Sequence, residues 1–245
     1  MRKILAGLYL AYGLIVFFAV MLFFLPFIII TSFLPNKLGT SVPFFFLRCW
    51  SYIFSTLSLF FYSVKGASKL DKTKPYIYVS NHGSYLDATS VVIAAPTAFK
   101  PLGKIEMSKV PLFGFIYKRV VVMVNRSTKE SRSESVEKLK LVLQKGISIL
   151  IFPEGTMNRT PHVLKDFYDG AFRIAIETKT PIAPFVVLNA KQIMPRNNPL
   201  SVRPGIIDIV FSDPIDVSEY TSEDVEVLKL RVYKVMEDLF FQHQK

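Results

Sequence analysis

The chain has 245 residues, a net charge of +11 and an apolar share of 51% that includes 22 phenylalanines, a size suited to one or two domains. Its one cysteine, Cys49, excludes an intrachain disulfide and a Cys-x-x-C metal or redox centre, and no His, Cys, Asp and Glu set has zinc-ligand spacing. The basic balance fits an anionic membrane surface or acidic substrates, and no zinc-ligand set or RNA-recognition signature accompanies it to indicate nucleic acid.

The apolar excess is concentrated at the amino terminus. Residues 4–34 contain no charge, more than the roughly 20 needed to span a hydrocarbon core. A cleaved signal peptide would have a shorter apolar core ending at small residues, whereas Phe23, Phe24, Leu25 and Pro26 occupy that place, so a retained anchor is expected. A second apolar segment, residues 42–64, is broken only by Arg48, close enough to one end for its charge to snorkel. Residues 1–65 are therefore expected to form a pair of membrane-anchoring helices, and residues 66–245 a single α/β domain. Arg2 and Lys3 flank one end of the pair and Lys65, Lys69, Lys72 and Lys74 the other, with only Lys37 between. The positive-inside rule then places the globular part on the cytoplasmic face of an integral membrane protein, the inner membrane if the source is bacterial.

Beyond Lys65 short β-rich runs alternate with amphipathic stretches, the pattern of α/β layering. Strands are predicted near residues 76–80, 98–101, 120–124, 147–152, 182–187 and 206–211. Ser131 with Glu134 reads as a capping box, Val136, Leu139, Val142 and Leu143 follow at helical spacing, and Gly146 stops that helix. A last helix starts at Thr221 or Ser222 and buries Val225, Leu228, Val232, Val235, Met236 and Leu239. Many of the basic residues between Lys100 and Lys145 solvate helix faces, and His162 and His243 have no partner at suggestive spacing.

Two predicted strand ends carry chemistry: Asn81-His82-Gly83-Ser84-Tyr85-Leu86-Asp87 and Phe152-Pro153-Glu154-Gly155-Thr156. Strand ends are where α/β sheets form ligand crevices, so one site built from two loops is expected. On an ideal helix His82 and Asp87 would lie about 140° apart. They meet if His82 lies in the turn, Gly83 permits the bend and Asp87 begins the helix. The carboxylate would then fix the imidazole tautomer while the other ring nitrogen takes a proton from a hydroxyl. Ser84 and Asp87 also fit a plain capping box, and Pro153 with Gly155 fits a plain turn; both readings stay open on sequence.

These two blocks together resemble the glycerolipid acyltransferases typified by 1-acylglycerol-3-phosphate acyltransferase. The resemblance continues through Lys104-Ile105-Glu106-Met107, Pro111-Leu112-Phe113-Gly114, Arg126, Gly170-Ala171 and Pro181-Ile182-Ala183-Pro184, about residues 75–190. It implies an α/β fold with a mixed sheet flanked by helices behind a membrane-embedded helical pair. It also implies acyl transfer from acyl-CoA or acyl carrier protein, as substrate rather than cofactor, to 1-acyl-sn-glycerol-3-phosphate, giving phosphatidate. Membrane lipids, the lysolipid and the acyl donor are the implied partners, with no nucleic acid and no metal. By the same resemblance His82 is the general base and Asp87 its orienting partner. Asn81, Ser84, Lys104, Arg126, Phe152, Pro153, Glu154, Gly155, Thr156 and Arg159 are the expected substrate-binding set.

Two departures concern the acceptor. Met157 and Asn158 separate Thr156 from Arg159, and Tyr168-Asp169 stands where the family pattern has a lysine, so a cation is lost and an acid gained near the expected phosphate site. Another lysolipid acceptor, such as a lyso-ornithine lipid, and a non-catalytic lipid-binding module are the alternatives. A Ser84 hydrolase would lack its Gly-x-Ser-x-Gly elbow.

Overall fold

The computed structural model describes residues 2–111, 113–125 and 128–243. The uncharged amino-terminal run forms α1 (Arg2–Thr31) and a tight turn leads to α2 (Leu38–Leu57). Phe17 meets Trp50 and Phe54 edge-on at 5.1 and 5.4 Å, whereas Phe27 stacks on Phe46 at 5.4 Å. Rising numbers on one helix thus meet falling numbers on the other, and the two pack antiparallel. Among the described residues only α1 is long and apolar enough to cross a membrane. Ile4, Leu8, Ile15, Phe23 and Ile30 point outward from it, an apolar surface of the kind that lipid or protein covers.

The second apolar segment differs from expectation in two ways. Helix α2 stops at Ser58, Leu59 turns the chain with a φ of 56°, and β1 (Phe60–Lys65) follows, so the stretch assigned to an anchoring helix ends as a sheet strand. The hydroxyl-rich Ser55-Thr56-Leu57-Ser58 stretch and the aromatic run after it explain the switch. Arg48 also turns inward instead of snorkelling. Its guanidinium donates to the carbonyls of Val92 (3.2 Å) and Ala95 at the end of a later helix, where orphan carbonyls and the helix dipole favour a cation.

The remaining elements are β2 (Ile77–Ser80), α3 (Asp87–Ala94), β3 (Phe99–Lys104), α4 (Phe113–Val120), β4 (Val122–Val124), α5 (Lys129–Gln144), β5 (Ser148–Ile151), α6 (Gly170–Thr178), β6 (Ile182–Val187), α7 (Ala190–Ile193), β7 (Gly205–Phe211) and α8 (Val225–His243). Among the described residues the strands make one sheet in the order β1-β7-β6-β2-β5-β3-β4. Strands β2 to β6 run parallel, β7 is antiparallel to β6, and β1 is parallel to β7. The sheet is thus mixed, and the five parallel strands end along one edge.

Side chains alternate between the two sheet faces, and both faces are covered, as parallel strands require. Tyr78, Phe99, Leu150 and Phe185 pack toward α1, α2 and α3. Ile77, Val79, Ile149, Ile151 and Val186 pack toward α5, α6 and α8. Helices α1 and α2 thus share one apolar cluster with a sheet face. The α5 cap sits one turn earlier than predicted: Thr128 Oγ1 accepts the Ser131 amide at 3.2 Å, and Ser131 Oγ instead accepts the Asn125 amide after β4. The last helix begins as expected, with Thr221 and Asp224 closing a capping box ahead of α8.

Candidate active site

Strand β2 delivers Asn81 and His82 at its carboxyl end, and the loop returns through Gly83 and Ser84 to Asp87, the first residue of α3. His82 Nδ1 lies 2.9 Å from Asp87 Oδ2. The same oxygen accepts the Gly83 amide at 2.7 Å and the Ser84 amide at 2.8 Å. Asp87 is 1% exposed, and three donors together with the α3 amino-terminal dipole offset the burial of its charge. An ionised carboxylate only accepts, so Nδ1 carries the proton and Nε2 keeps the lone pair. The imidazole lies flat on Phe152, with ring centroids 4.2 Å apart at 15°.

Capping and orienting are both present in this loop. Asp87 makes its half of the capping box, whereas Ser84 Oγ accepts the Leu86 amide and donates to the Met194 carbonyl at 3.0 Å. The buried serine hydroxyl is thus committed and not free to act as a nucleophile. Asn81 is likewise committed, because its amide donates to the Val187 carbonyl and accepts the Val187 N–H, at 2.9 and 2.8 Å. That clamp joins the loop to the end of β6.

The loop after β5 does more than turn. Glu154 is fully buried, and its two oxygens accept the His82 amide at 2.8 Å and the Lys165 amide at 3.0 Å. Burial pushes its carboxyl up to about 7. The loop is therefore not the plain turn left open by the sequence, in which Glu154 would face solvent. Gly155 turns the chain with φ +70°, a conformation that side-chain-bearing residues resist. Thr156 Oγ1 accepts from Lys165 Nζ at 3.0 Å, and the Pro153 carbonyl accepts the Tyr168 amide. Asn158 contributes a contact that sequence spacing does not signal: its amide N–H donates to the His82 carbonyl at 2.6 Å. The His82, Gly83 and Ser84 amides all serve carboxylates, so an oxyanion must draw on other donors.

His82, Phe152, Gly155, Thr156 and Arg159 open onto a cavity of about 1240 Å³ that continues between the sheet and the two amino-terminal helices, past Gly13, Phe17, Trp50 and Phe54. Lys104, the last residue of β3, also lines it. So do Lys100, Arg119, Lys165 and Arg196, and no aspartate or glutamate does among the described residues. Arg126 lies outside the described residues. Asp169, expected to weaken a phosphate site, is turned away from the cavity and pairs with Lys229 of α8 at 3.0 Å and Arg173 at 3.4 Å. Lys165 and Arg196 are the residues that sequence reasoning missed; neither sits in a pattern that would single it out.

A histidine–aspartate pair at the edge of a mixed α/β sheet faces an apolar and cationic cavity, and comparison with known proteins defines the class of protein. Residues 62–188, just over half of the chain, match the family model described as Acyltransferase, and the chain belongs to that family. A 1-acyl-sn-glycerol-3-phosphate acyltransferase of Cocos nucifera is 31% identical over 173 residues, 69% of this chain and 55% of that protein. The mouse 1-acyl-sn-glycerol-3-phosphate acyltransferase alpha is 27% identical over 179 residues, 72% of this chain and 62% of that one. The chain thus spans about half to three fifths of the curated relatives it matches. The crystal structure of the Thermotoga maritima lysophosphatidate acyltransferase PlsC superposes with a TM-score of 0.82 at 23% identity, covering 99% of this chain and 97% of that one, and shares the fold.

Proposed function

We propose that the protein transfers a fatty acyl group from acyl-CoA or acyl carrier protein to the free hydroxyl of 1-acyl-sn-glycerol-3-phosphate, forming phosphatidate. The observation that carries this reading is the His82–Asp87 pair facing a cavity that is apolar toward the helices and, among the described residues, lined by cations without acids. Such a cavity suits a lipid chain joined to an anionic headgroup.

In the step proposed, His82 Nε2 removes the acceptor hydroxyl proton as the oxygen attacks the thioester carbonyl, and Asp87 stabilises the imidazolium that forms. The tetrahedral adduct collapses, the C–S bond breaks, and the thiolate takes the proton from the imidazolium. A thiol with a pKa of about 8.5 leaves readily, so the step needs neither a metal nor a covalent acyl-enzyme. Lys104, Arg159 and Lys165 hold the acceptor phosphate through charge-assisted hydrogen bonds. Helix α1 anchors the chain in the membrane beside its lysolipid, with the sheet on the cytoplasmic side, as the flanking lysines argue.

The test is an acceptor panel: purified protein, each acyl donor, and lysophosphatidate beside lyso-ornithine lipid and neutral lysolipids, with products identified by mass spectrometry. Phosphatidate is the expected main product. Turnover of another lysolipid with none of lysophosphatidate would replace this acceptor.

A further inference from the structure

Strand order fixes what stands on each side of His82. Along the edge where the parallel strands end, the segment after β6 comes first, then the His82 loop after β2, then the Glu154 loop after β5, then the end of β3. The loop after β5 and the end of β3 bring Arg159, Lys165 and Lys104 to the cavity, and the segment after β6 brings Arg196. Positive charge thus reaches the cavity from separate stretches of chain.

The β6-side segment is fastened in place. The Met194 carbonyl accepts from Ser84 Oγ at 3.0 Å, and Lys191 Nζ donates to the Thr160 carbonyl at 2.8 Å, tying it to both catalytic loops. The Arg196 guanidinium lies over the half-exposed Tyr85 ring, 5.7 Å from its centroid. This segment follows the region matched by the family model, which ends at residue 188, so family membership assigns Arg196 no role.

The reaction proposed above brings together two anions. The acceptor carries a glycerol phosphate, and both candidate donors carry the phosphate of a phosphopantetheine arm. Two phosphates on one cluster of cations would repel each other, and a hydroxyl and a thioester that meet at one imidazole approach it from different sides. We propose that Arg196 binds the phosphopantetheine phosphate of the acyl donor, on a different segment from the cations that hold the acceptor. The inference rests on the two-substrate reading above.

Binding measured without turnover tests it on the full-length protein. Calorimetry with coenzyme A, phosphopantetheine and unphosphorylated pantetheine should show the two phosphorylated ligands binding at least about tenfold more tightly. Arg196→Ala should weaken both by about tenfold to a hundredfold, the range for a charged hydrogen bond. Pantetheine and lysophosphatidate affinities should stay unchanged, and Arg196→Lys should retain part of the effect. Holo-carrier protein forms the second arm: loss with both carriers supports the shared phosphate, and loss with coenzyme A alone moves the contact to its nucleotide and overturns the proposal. Wild-type affinity for the phosphorylated ligands in Arg196→Ala, or an equal loss of lysophosphatidate, would overturn it too. If Arg196→Ala does not fold, Arg196→Gln, which keeps a planar group over Tyr85, carries the same expectations. Failure to acylate lysophosphatidate would refute the acceptor assignment alone, because these affinities need no turnover.

Discussion

Asp87 and Glu154 are buried carboxylates on loops that follow adjacent parallel strands, and both accept amides from the Asn81–Ser84 stretch, yet they position His82 by different routes. Asp87 gathers a ring nitrogen and two amides on one oxygen. Glu154 spreads two backbone amides over two oxygens and makes no hydrogen bond to the imidazole. One carboxylate orients the ring, and the other braces the backbone from which the ring hangs. A buried acid in an active site is therefore not by itself evidence of proton transfer, and its hydrogen-bond partners decide its role.

Substitutions sharpen this contrast, beginning with the ring itself. His82→Ala should lower kcat by about 10³-fold or more, the scale of a lost general base, with little change in the thermal midpoint. Asp87→Asn keeps a carbonyl oxygen where all three donors meet, so the fold should hold while kcat drops about 10²- to 10³-fold from lost charge; an equal loss of stability would break the distinction. Glu154→Gln must turn an NH₂ toward one of two N–H donors. It should cost about 1–3 kcal/mol of stability and at least about tenfold in kcat.

Acidity separates the two carboxylates further. Burial raises Glu154 in the folded protein to about 7, above its unfolded value of about 4.3, so folding takes up a proton between those limits. The resulting stability is fully present below about pH 4.3, declines as pH rises toward 7, and is gone above it, a change on the order of 3 kcal/mol. Denaturant titrations from pH 4 to 8 should show this decline in the wild type, and the Glu154 contribution should vanish from the slope in Glu154→Gln. Smaller effects follow from the surroundings. Gly155→Ala, forced to φ +70°, should cost about 1–2 kcal/mol, and Asp169→Asn, which loses only partly exposed ion pairs, less than about 1 kcal/mol with an unchanged acceptor KM.

Five of the six predicted strands were legible as β-branched or aromatic runs between turn residues, whereas β3, Phe-Lys-Pro-Leu-Gly-Lys, has one aromatic and no β-branched residue and runs three residues past its predicted end. Strand β1 was hidden, since Phe60 and Phe61 continue the composition of the helix before them and only pairing with β7 distinguishes the two. The His82–Asp87 pair was readable because both partners lie within one turn of chain. The brace was not: the contact of Glu154 with His82 joins residues 72 positions apart, and its direction depends on which strands are neighbours. The pairing of Asp169 with Lys229 was hidden for the same reason, being set by how α8 packs on the β5-to-α6 connection.

The central claim is that His82 activates an acceptor hydroxyl for attack on a thioester. It is tested most directly by thiol release from acyl-CoA and acyl carrier protein, with and without lysophosphatidate, in the wild type and His82→Ala. Release that requires the acceptor and falls by about 10³-fold in a folded His82→Ala protein is the predicted result. Acceptor-dependent release within about threefold of the wild type in that variant would contradict the account.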